Sequence, residues 1–327
     1  MKYVTNWLDK YETKYYNFGD ALLCRSNVNN LKDMYGMKLK KLNENEYSTL
    51  NDYKIPKFLE PHIDFIEGLS NKFFKRNKVN GNNKNQAENG YVSREVLLRL
   101  YNITWNNVKK NSSVASIEYQ GDSGFSKSDL KLSQSLNNEN IKYVPKNNIV
   151  GYDAEESDLE TQLDMQMMSQ VANNVDLWFW DENQWLFSFA VHFFNKTKIP
   201  EVISMSWGWA EYDQCSITNC SNLTASQYIN RVNMEYVKIG LRGVSILVSS
   251  GDAGAPGRTN EGCSESNGVN PDFPGSSPWI TSVGGTFIVE DNSKDVKWNT
   301  TFCKKNKCLK NIKEMVSNFD YTGWTSG

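Results

Sequence analysis

From residue 92 onward the apolar positions of this chain switch between two rhythms. Runs of alternating or continuous β-branched and aromatic residues predict strands over 114–119, 175–180, 202–207, 244–249 and 279–283. Between them, apolar residues recur every three to four positions, which predicts helices over 127–136, 157–172, 185–194 and 225–240. Strands that alternate with helices require crossovers, so the pattern predicts an α/β fold: a mostly parallel sheet with helices on both faces. Ligands of such sheets bind beyond the carboxyl ends of the strands. Two conspicuous segments fall at those ends, Ser204-Met-Ser-Trp-Gly208 and Ser249-Ser-Gly-Asp-Ala-Gly-Ala-Pro-Gly257.

The earlier part reads differently. Residues 1–71 mix short helical and strand-like patterns, an α+β composition that ends in Pro61-His-Ile-Asp-Phe-Ile-Glu-Gly-Leu69. From Asn71 to Asn89 the chain is basic and rich in asparagine and glycine, a composition that cannot bury a core and predicts an exposed linker open to proteolysis. The expected organisation is therefore 1–71, a linker at 72–90, and a large domain over 91–327.

Composition narrows the class of function. With 327 residues, 39% of them hydrophobic and 23% charged, and a net charge of -2, the chain reads as a globular protein without the basic excess that nucleic-acid binding requires. The longest apolar stretch, 185–194, is interrupted by Ser188 and His192 and is too short to span a bilayer, so no membrane partner is expected. The first residues lack an apolar signal core, so a secretory leader would have to lie upstream. Asn-x-Ser/Thr sequons at Asn102, Asn111, Asn195, Asn219, Asn222 and Asn299 are about as many as so asparagine-rich a chain holds by chance, and they do not decide the compartment. Cys215 with Cys220, and Cys303 with Cys308, have the spacing of small disulfide loops. A zinc site would want Cys-x-x-Cys, and only His62 and His192 are available to complete one, so no metal ligands are assigned.

Candidate chemistry begins on the helix over 157–172. Glu160 and Asp164 stand one turn apart, in a row that continues to Met167, Met168 and Val171, so both acids are expected to lean toward the protein body. Crowded, desolvated carboxylates share protons and shift upward in pKa, which suits a general base in acidic surroundings. The same spacing also fits a solvated helix face or an acidic helix start. In the second strand-end segment, Gly251, Gly254 and Gly257 flank Asp252 in a turn that lets the backbone approach a ligand. A phosphate loop would open directly into a helix; here the loop runs into Arg258 and on to the proline-rich Asn270-Pro-Asp-Phe-Pro274, leaving a structural Gly-Asp turn as the plainer alternative.

Taken together and in order, Glu160 with Asp164, Ser-Met-Ser-Trp-Gly, Ser-Ser-Gly-Asp-Ala-Gly, and Phe273-Pro-Gly-Ser-Ser-Pro-Trp-Ile-Thr-Ser-Val-Gly-Gly-Thr286 resemble the sedolisin family of serine-carboxyl peptidases. Upstream, Arg94-Glu-Val-Leu-Leu-Arg-Leu-Tyr-Asn-Ile-Thr104 is similar to the start of that family's mature enzyme, and 56–69 to the end of its propeptide. The resemblance implies a subtilisin-like sheet in which a glutamate replaces the triad histidine. Glu160 would be the general base, Asp164 its orienting partner, and Asp252 an oxyanion-hole acid. Ser206, Trp207 and Gly208 would line the edge along which a peptide lies. His192 has no family role and is expected to be a packed structural residue.

The resemblance further implies an acid-pH peptidase that takes peptides or proteins as substrates, removes tripeptides from free N-termini, is inhibited by its own propeptide, and works in a lysosome or after secretion. The family's nucleophile lies in a Ser-Gly-Thr-Ser segment that these residues do not contain, and Tyr321-Thr-Gly-Trp-Thr-Ser-Gly327 resembles the approach to the loop before it. The sheet is thus expected to be incomplete at its C-terminal side and the chain inactive as it stands. The family's calcium ligands, and a partner for Cys263, would lie beyond the same point. A noncatalytic peptide-binding or inhibitory protein of the same fold is the alternative.

Overall fold

The computed structural model describes residues 1–41, 47–49, 52–69, 90–104, 112–119, 124–151, 159–172, 174–254, 257, 268–290, 296–310 and 312–316. The linker sequence, Asp158, Cys263 and the last eleven residues of the chain, 317–327, lie outside them.

The chain opens with helix α1 (Lys2–Lys10), the hairpin strands β1 (Lys14–Asn17) and β2 (Leu22–Arg25), helix α2 (Val28–Tyr35), and a second strand pair, β3 (Leu39–Lys41) and β4 (Tyr47–Thr49). Val4, Trp7, Leu8 and Tyr11 recur at helical spacing on and just beyond α1, and that stripe is buried against Met34, Tyr35, Met37, Tyr53 and Leu59. Asn27 starts α2 by accepting the Asn30 N–H at 2.8 Å, and Gly36, at φ 62°, ends it in the left-handed conformation that glycine adopts without strain.

After the linker come α3 (Arg94–Leu100), β5 (Ser113–Glu118), α4 (Lys127–Leu136), β6 (Ile149–Val150), α5 (Leu159–Val171), β7 (Asp176–Asp181), α6 (Leu186–Phe194), β8 (Val202–Met205), β9 (Trp209–Ala210), α7 (Gln214–Ile217), α8 (Ala225–Leu241), β10 (Ser245–Ser249), β11 (Asp272–Phe273), β12 (Thr281–Val283), β13 (Thr286–Glu290), α9 (Thr301–Lys305) and β14 (Ile312–Val316). Six of these strands form one sheet in the order β12-β10-β8-β5-β7-β6, and every pairing in it is parallel. The fold is α/β, as the alternation of rhythms predicts.

The expected elements stand within a few residues of their predicted bounds. Two strands are shorter than predicted. The strand expected over 202–207 leaves the ladder at Met205, because residues 209–210 pair antiparallel with 272–273 instead. The strand expected over 279–283 begins at Thr281, since Pro278 and Trp279 form a turn that a proline favours. The two-residue strand β6 has no rhythm long enough to announce it, and the antiparallel pair of β13 with β14, whose strands are separated by α9, is not predicted by the sequence pattern. Both cysteine pairs close: Cys215 is bonded to Cys220 and Cys303 to Cys308.

The chain forms two compact units that do not follow chain order. One comprises Met1–Phe74, Gln184–Ile199 and Glu211–Ile239; the other comprises Lys75–Asn183, Pro200–Ala210 and Gly240–Gly327 and holds the whole sheet. In the sheet unit, Leu177 and Phe179 of β7 pack with Leu130 of α4, Met165 of α5 and Phe125. The intervening Trp178 and Trp180 point to the opposite face and are equally buried, as a parallel strand covered on both sides requires.

A buried carboxylate ties α3 to the start of α9. Glu95 accepts the backbone N–H groups of Asn299 and Thr300, at 2.9–3.0 Å, and Thr300 is the N-cap of α9. Burial alone would raise the Glu95 pKa, but the Thr300 and Asn299 bonds, helped by Arg99, outweigh it and hold the group below its ordinary value. The contribution is therefore present above the unfolded-state pKa of about 4.3 and is lost as pH falls through the lower folded value. Glu95→Gln is expected to destabilise the protein by about 1–3 kcal/mol near neutrality. Urea unfolding at a series of pH values checks this: the gap between variant and parent should close on acidification, and a gap independent of pH would contradict it.

Candidate active site

The strand order creates a switch point. From β5 the chain moves outward on one side to β6 and returns through β7. It then crosses to the other side of β5 and continues through β8, β10 and β12. The crevice between the carboxyl ends of β5 and β8 is where sheets of this kind bind ligands. Glu118 ends β5, Ser206 follows the last residue of β8, and the Gly251–Asp252 turn follows β10.

Helix α5 supplies the two candidate acids. Its inward row is Thr161, Met165 and Ser169, all buried. Met165 enters the core, and Ser169 is clamped by the Gln134 side-chain amide (2.9 Å) and by the Glu139 carboxylate (2.9 Å), which fixes the helix against α4 and the segment after it. Glu160 and Asp164 occupy the adjacent row and are half-buried. This corrects the expected alignment: the row through Met167, Met168 and Val171 is only half-buried too, because α5 turns Thr161, Met165 and Ser169 toward the core instead. The acids thus stand at the border of the core and remain accessible to a ligand.

The Ser206 hydroxyl donates to Asp164 Oδ2 at 2.7 Å, joining the acid helix directly to the end of β8. Next to it, the Trp207 indole N–H donates to Glu118 Oε2 at 2.8 Å, while Ser116 donates to Glu118 Oε1 at 3.0 Å. Glu118 is 0% exposed, a position a carboxylate tolerates only when its oxygens are bonded. Tyr119 packs its ring edge on Trp207, with centroids 6.2 Å apart. Two of the three residues expected to line a peptide edge therefore use their side chains to hold carboxylates.

Asp252 is exposed on the turn after β10. Gly251 precedes it at φ 104°, and a β-carbon there would lie 2.7 Å from Asp272 Oδ2, so only glycine allows the buried Asp272 carboxylate to sit beneath the turn. The same short strand β11 meets Gly208, whose β-carbon would stand 3.2 Å from the Phe273 carbonyl oxygen. Residues 272–275 thus wedge between the segment after β8 and the turn after β10, and fix the two relative to each other. Glu118 and Asp272 are the residues that sequence reading missed. Their signal was present but faint: an acid at the carboxyl end of a β-branched strand, and an acid directly before a Phe-Pro step.

His192 is half-buried on α6 between buried Val191 and Phe193. Among the described residues no group of three or more His, Cys, Asp or Glu side chains could hold a metal ion.

No family model matches the chain. It is 35% identical over 280 residues to physarolisin of Physarum polycephalum, an alignment that covers 84% of this chain and 48% of that protein. It is 29% identical over 261 residues to tripeptidyl-peptidase 1 of Homo sapiens and of Canis lupus familiaris, covering 73% of this chain and 42% of each. The chain thus spans about half the length of the curated relatives it matches. Among solved structures, Pseudomonas sedolisin (serine-carboxyl proteinase) complexed with two molecules of pseudo-iodotyrostatin aligns at a TM-score of 0.39 and 20% identity, over 55% of this chain and 50% of that one.

Proposed function

The chain belongs to the sedolisin family of serine-carboxyl peptidases, and from that premise we propose that it carries the acidic half of the machinery of an acid-pH peptidase releasing tripeptides from free N-termini. The observation that carries the reading is the 2.7 Å bond between Ser206 and Asp164, which anchors the acid-bearing helix at the sheet's switch point. Asp164, held from one side, orients Glu160 one turn earlier on the same helix and shares its proton. Glu160 takes the proton of an attacking serine hydroxyl and returns it to the leaving amine. That serine sits in the family's Ser-Gly-Thr-Ser segment, which the 327 residues do not contain. Asp252, in its carboxylic-acid form, donates to the tetrahedral oxyanion, a contribution of about 3–4 kcal/mol for one such donor. The peptide lies along residues 206–208 through their backbone, since Ser206 and Trp207 have committed their side chains elsewhere.

In this reading residues 1–71 are the propeptide and act as the inhibitor of the mature enzyme, 72–90 is the processing region, and the product is lysosomal or secreted. The preference for tripeptides rests on the likeness to tripeptidyl-peptidase 1. The second reading is a noncatalytic peptide binder or inhibitor of the same fold.

The test is to express both the 327-residue chain and the complete open reading frame that contains it, and to assay each with free and N-terminally blocked tripeptide reporters. The complete product should release tripeptides from the free reporter at acid pH and leave the blocked one intact; the 327-residue chain should show no turnover. Equal cleavage of the blocked reporter would overturn the exopeptidase assignment. A complete product that binds peptides without cutting them would establish the second reading.

A further inference from the structure

Helix α6 begins without a cap of its own. Its N-cap position is Trp185, which makes no capping side-chain bond, and no acidic residue stands in its first turn. The first N–H groups of any helix lack intrahelical acceptors and carry the positive end of its dipole. Here they are met from far along the chain: Glu67 Oε1 accepts the N–H of Trp185 at 3.2 Å and of Ser188 at 2.8 Å. The other oxygen accepts the Tyr228 hydroxyl of α8 at 2.8 Å and the Thr218 hydroxyl at 3.5 Å. Gly68, at φ 96°, turns the chain directly after Glu67 in a conformation that glycine adopts without strain. Phe65 adds edge contacts to Phe187 (4.9 Å) and Tyr228 (5.4 Å).

We infer that Glu67 is an acid-released latch, a helix cap supplied in trans by the N-terminal segment, which keeps that segment on α6 and α8 after the linker is cut and lets go when the carboxylate is protonated. This rests on the propeptide reading given above. A carboxylate satisfies four donors only while ionised; protonation turns one acceptor oxygen into a donor facing donors. The attachment is therefore present above the Glu67 pKa and lost as pH falls through it.

The groups around the latch are compatible with that direction. Tyr228 is pushed well above its ordinary pKa by burial first and by the Glu67 charge second, and Tyr236 and Tyr53 are raised chiefly by burial, so all three keep their protons and Tyr228 stays a donor. The α6 side offers Glu67 the two backbone N–H groups. Beside the latch, Arg231 and Lys238 of α8 are shared among Asp20, Asp64 and Glu235; Lys238 lies 3.1 Å from Asp20 and 2.6 Å from Glu235, and Arg231 lies 3.7 Å from Asp20 and 3.9 Å from Asp64 and Glu235. Asp20 and Asp64 are half-exposed or more, so these ion pairs add little attachment compared with the capped helix end.

To test this, a site for a specific protease is introduced in place of residues 81–87, the purified chain is nicked, and the two pieces are followed by size-exclusion chromatography at pH 7 and at about pH 4, just below the ordinary glutamate pKa. Parent pieces should co-elute at neutrality and separate in acid. Glu67→Gln should release the N-terminal piece at neutral pH about tenfold to a hundredfold more readily, the scale of a lost charge-assisted bond, while Asp20→Asn should behave like the parent. A nicked Glu67→Gln protein that holds its pieces as tightly as the parent at both pH values would overturn the inference. Hydrogen exchange on the un-nicked parent gives a reading that does not depend on the variant folding. The Trp185 and Ser188 amides should be protected at neutrality and lose protection on acidification, and protection unchanged by pH would overturn the latch as well. The propeptide reading fails separately: if catalytically active natural material retains Met1, residues 1–71 are not a removed segment, whatever Glu67 does.

Discussion

Glu160→Gln in the complete enzyme is expected to lower kcat by about four to six orders of magnitude, the scale on which a serine peptidase loses rate when its base or the residue orienting it is removed. The substitution keeps the size of the side chain and its capacity to hydrogen-bond, and removes only its ability to accept a proton from an attacking hydroxyl. KM should therefore change little, since in the proposed mechanism the peptide is held along residues 206–208 rather than by Glu160. Stability should change little too, because Glu160 is half-buried and lies outside the inward row of α5. Asp164→Asn is expected to act in the same direction less strongly, because Asp164 works through Glu160 and would retain its bond from Ser206. Steady-state kinetics with a free-N-terminus reporter, alongside a melting curve, separates these outcomes. A variant at position 160 that turns over within tenfold of the parent would remove the general-base assignment and with it the proposed mechanism.

The largest effect on folding is expected from Phe179→Ala, at about 3–5 kcal/mol. Phe179 lies in a strand paired on both sides, opposite Ser116 of β5 and Ile149 of β6, and is 0% exposed. Its ring meets Phe125 at 5.1 Å between centroids and shares a cluster with Leu130, Met165 and Leu177. A parallel strand buried on both faces has little room to collapse onto a cavity, so the loss should sit at the upper part of the range for aromatic truncation. Urea unfolding should show a lower midpoint with an unchanged slope. Because Met165 lies one residue from Asp164 on α5, the same variant should also loosen the acid helix. Faster amide exchange along 159–171 would reveal it, and a midpoint shift equivalent to less than about 1 kcal/mol would contradict the packing account.

Much of the element pattern after residue 91 is legible in the chain. Strands and helices impose periods of two and of about three and a half on any residue pattern that must bury one face, so 114–119, 127–136, 175–180 and 225–240 read out close to their observed bounds. The two disulfides are local enough to be read from spacing. Elements of two or three residues, such as β6, β9 and β11, have no period to show, and it is β9 with β11 that ends β8 early and wedges Asp272 beneath Gly251.

By itself the amino-acid order determined the family, the α/β alternation and the one-turn spacing of Glu160 and Asp164, because each of these is written in neighbours along the chain. Only the tertiary structure decided which partner each carboxylate meets. Ser206 reaches Asp164 across 42 residues, Trp207 reaches Glu118 across 89, and Glu67 reaches the start of α6 across 118 and 121. A local pattern encodes how much of a face must leave water; it carries no record of what distant element closes over that face. The choice of partner falls to packing, where a buried charge must find its donors or the fold does not form.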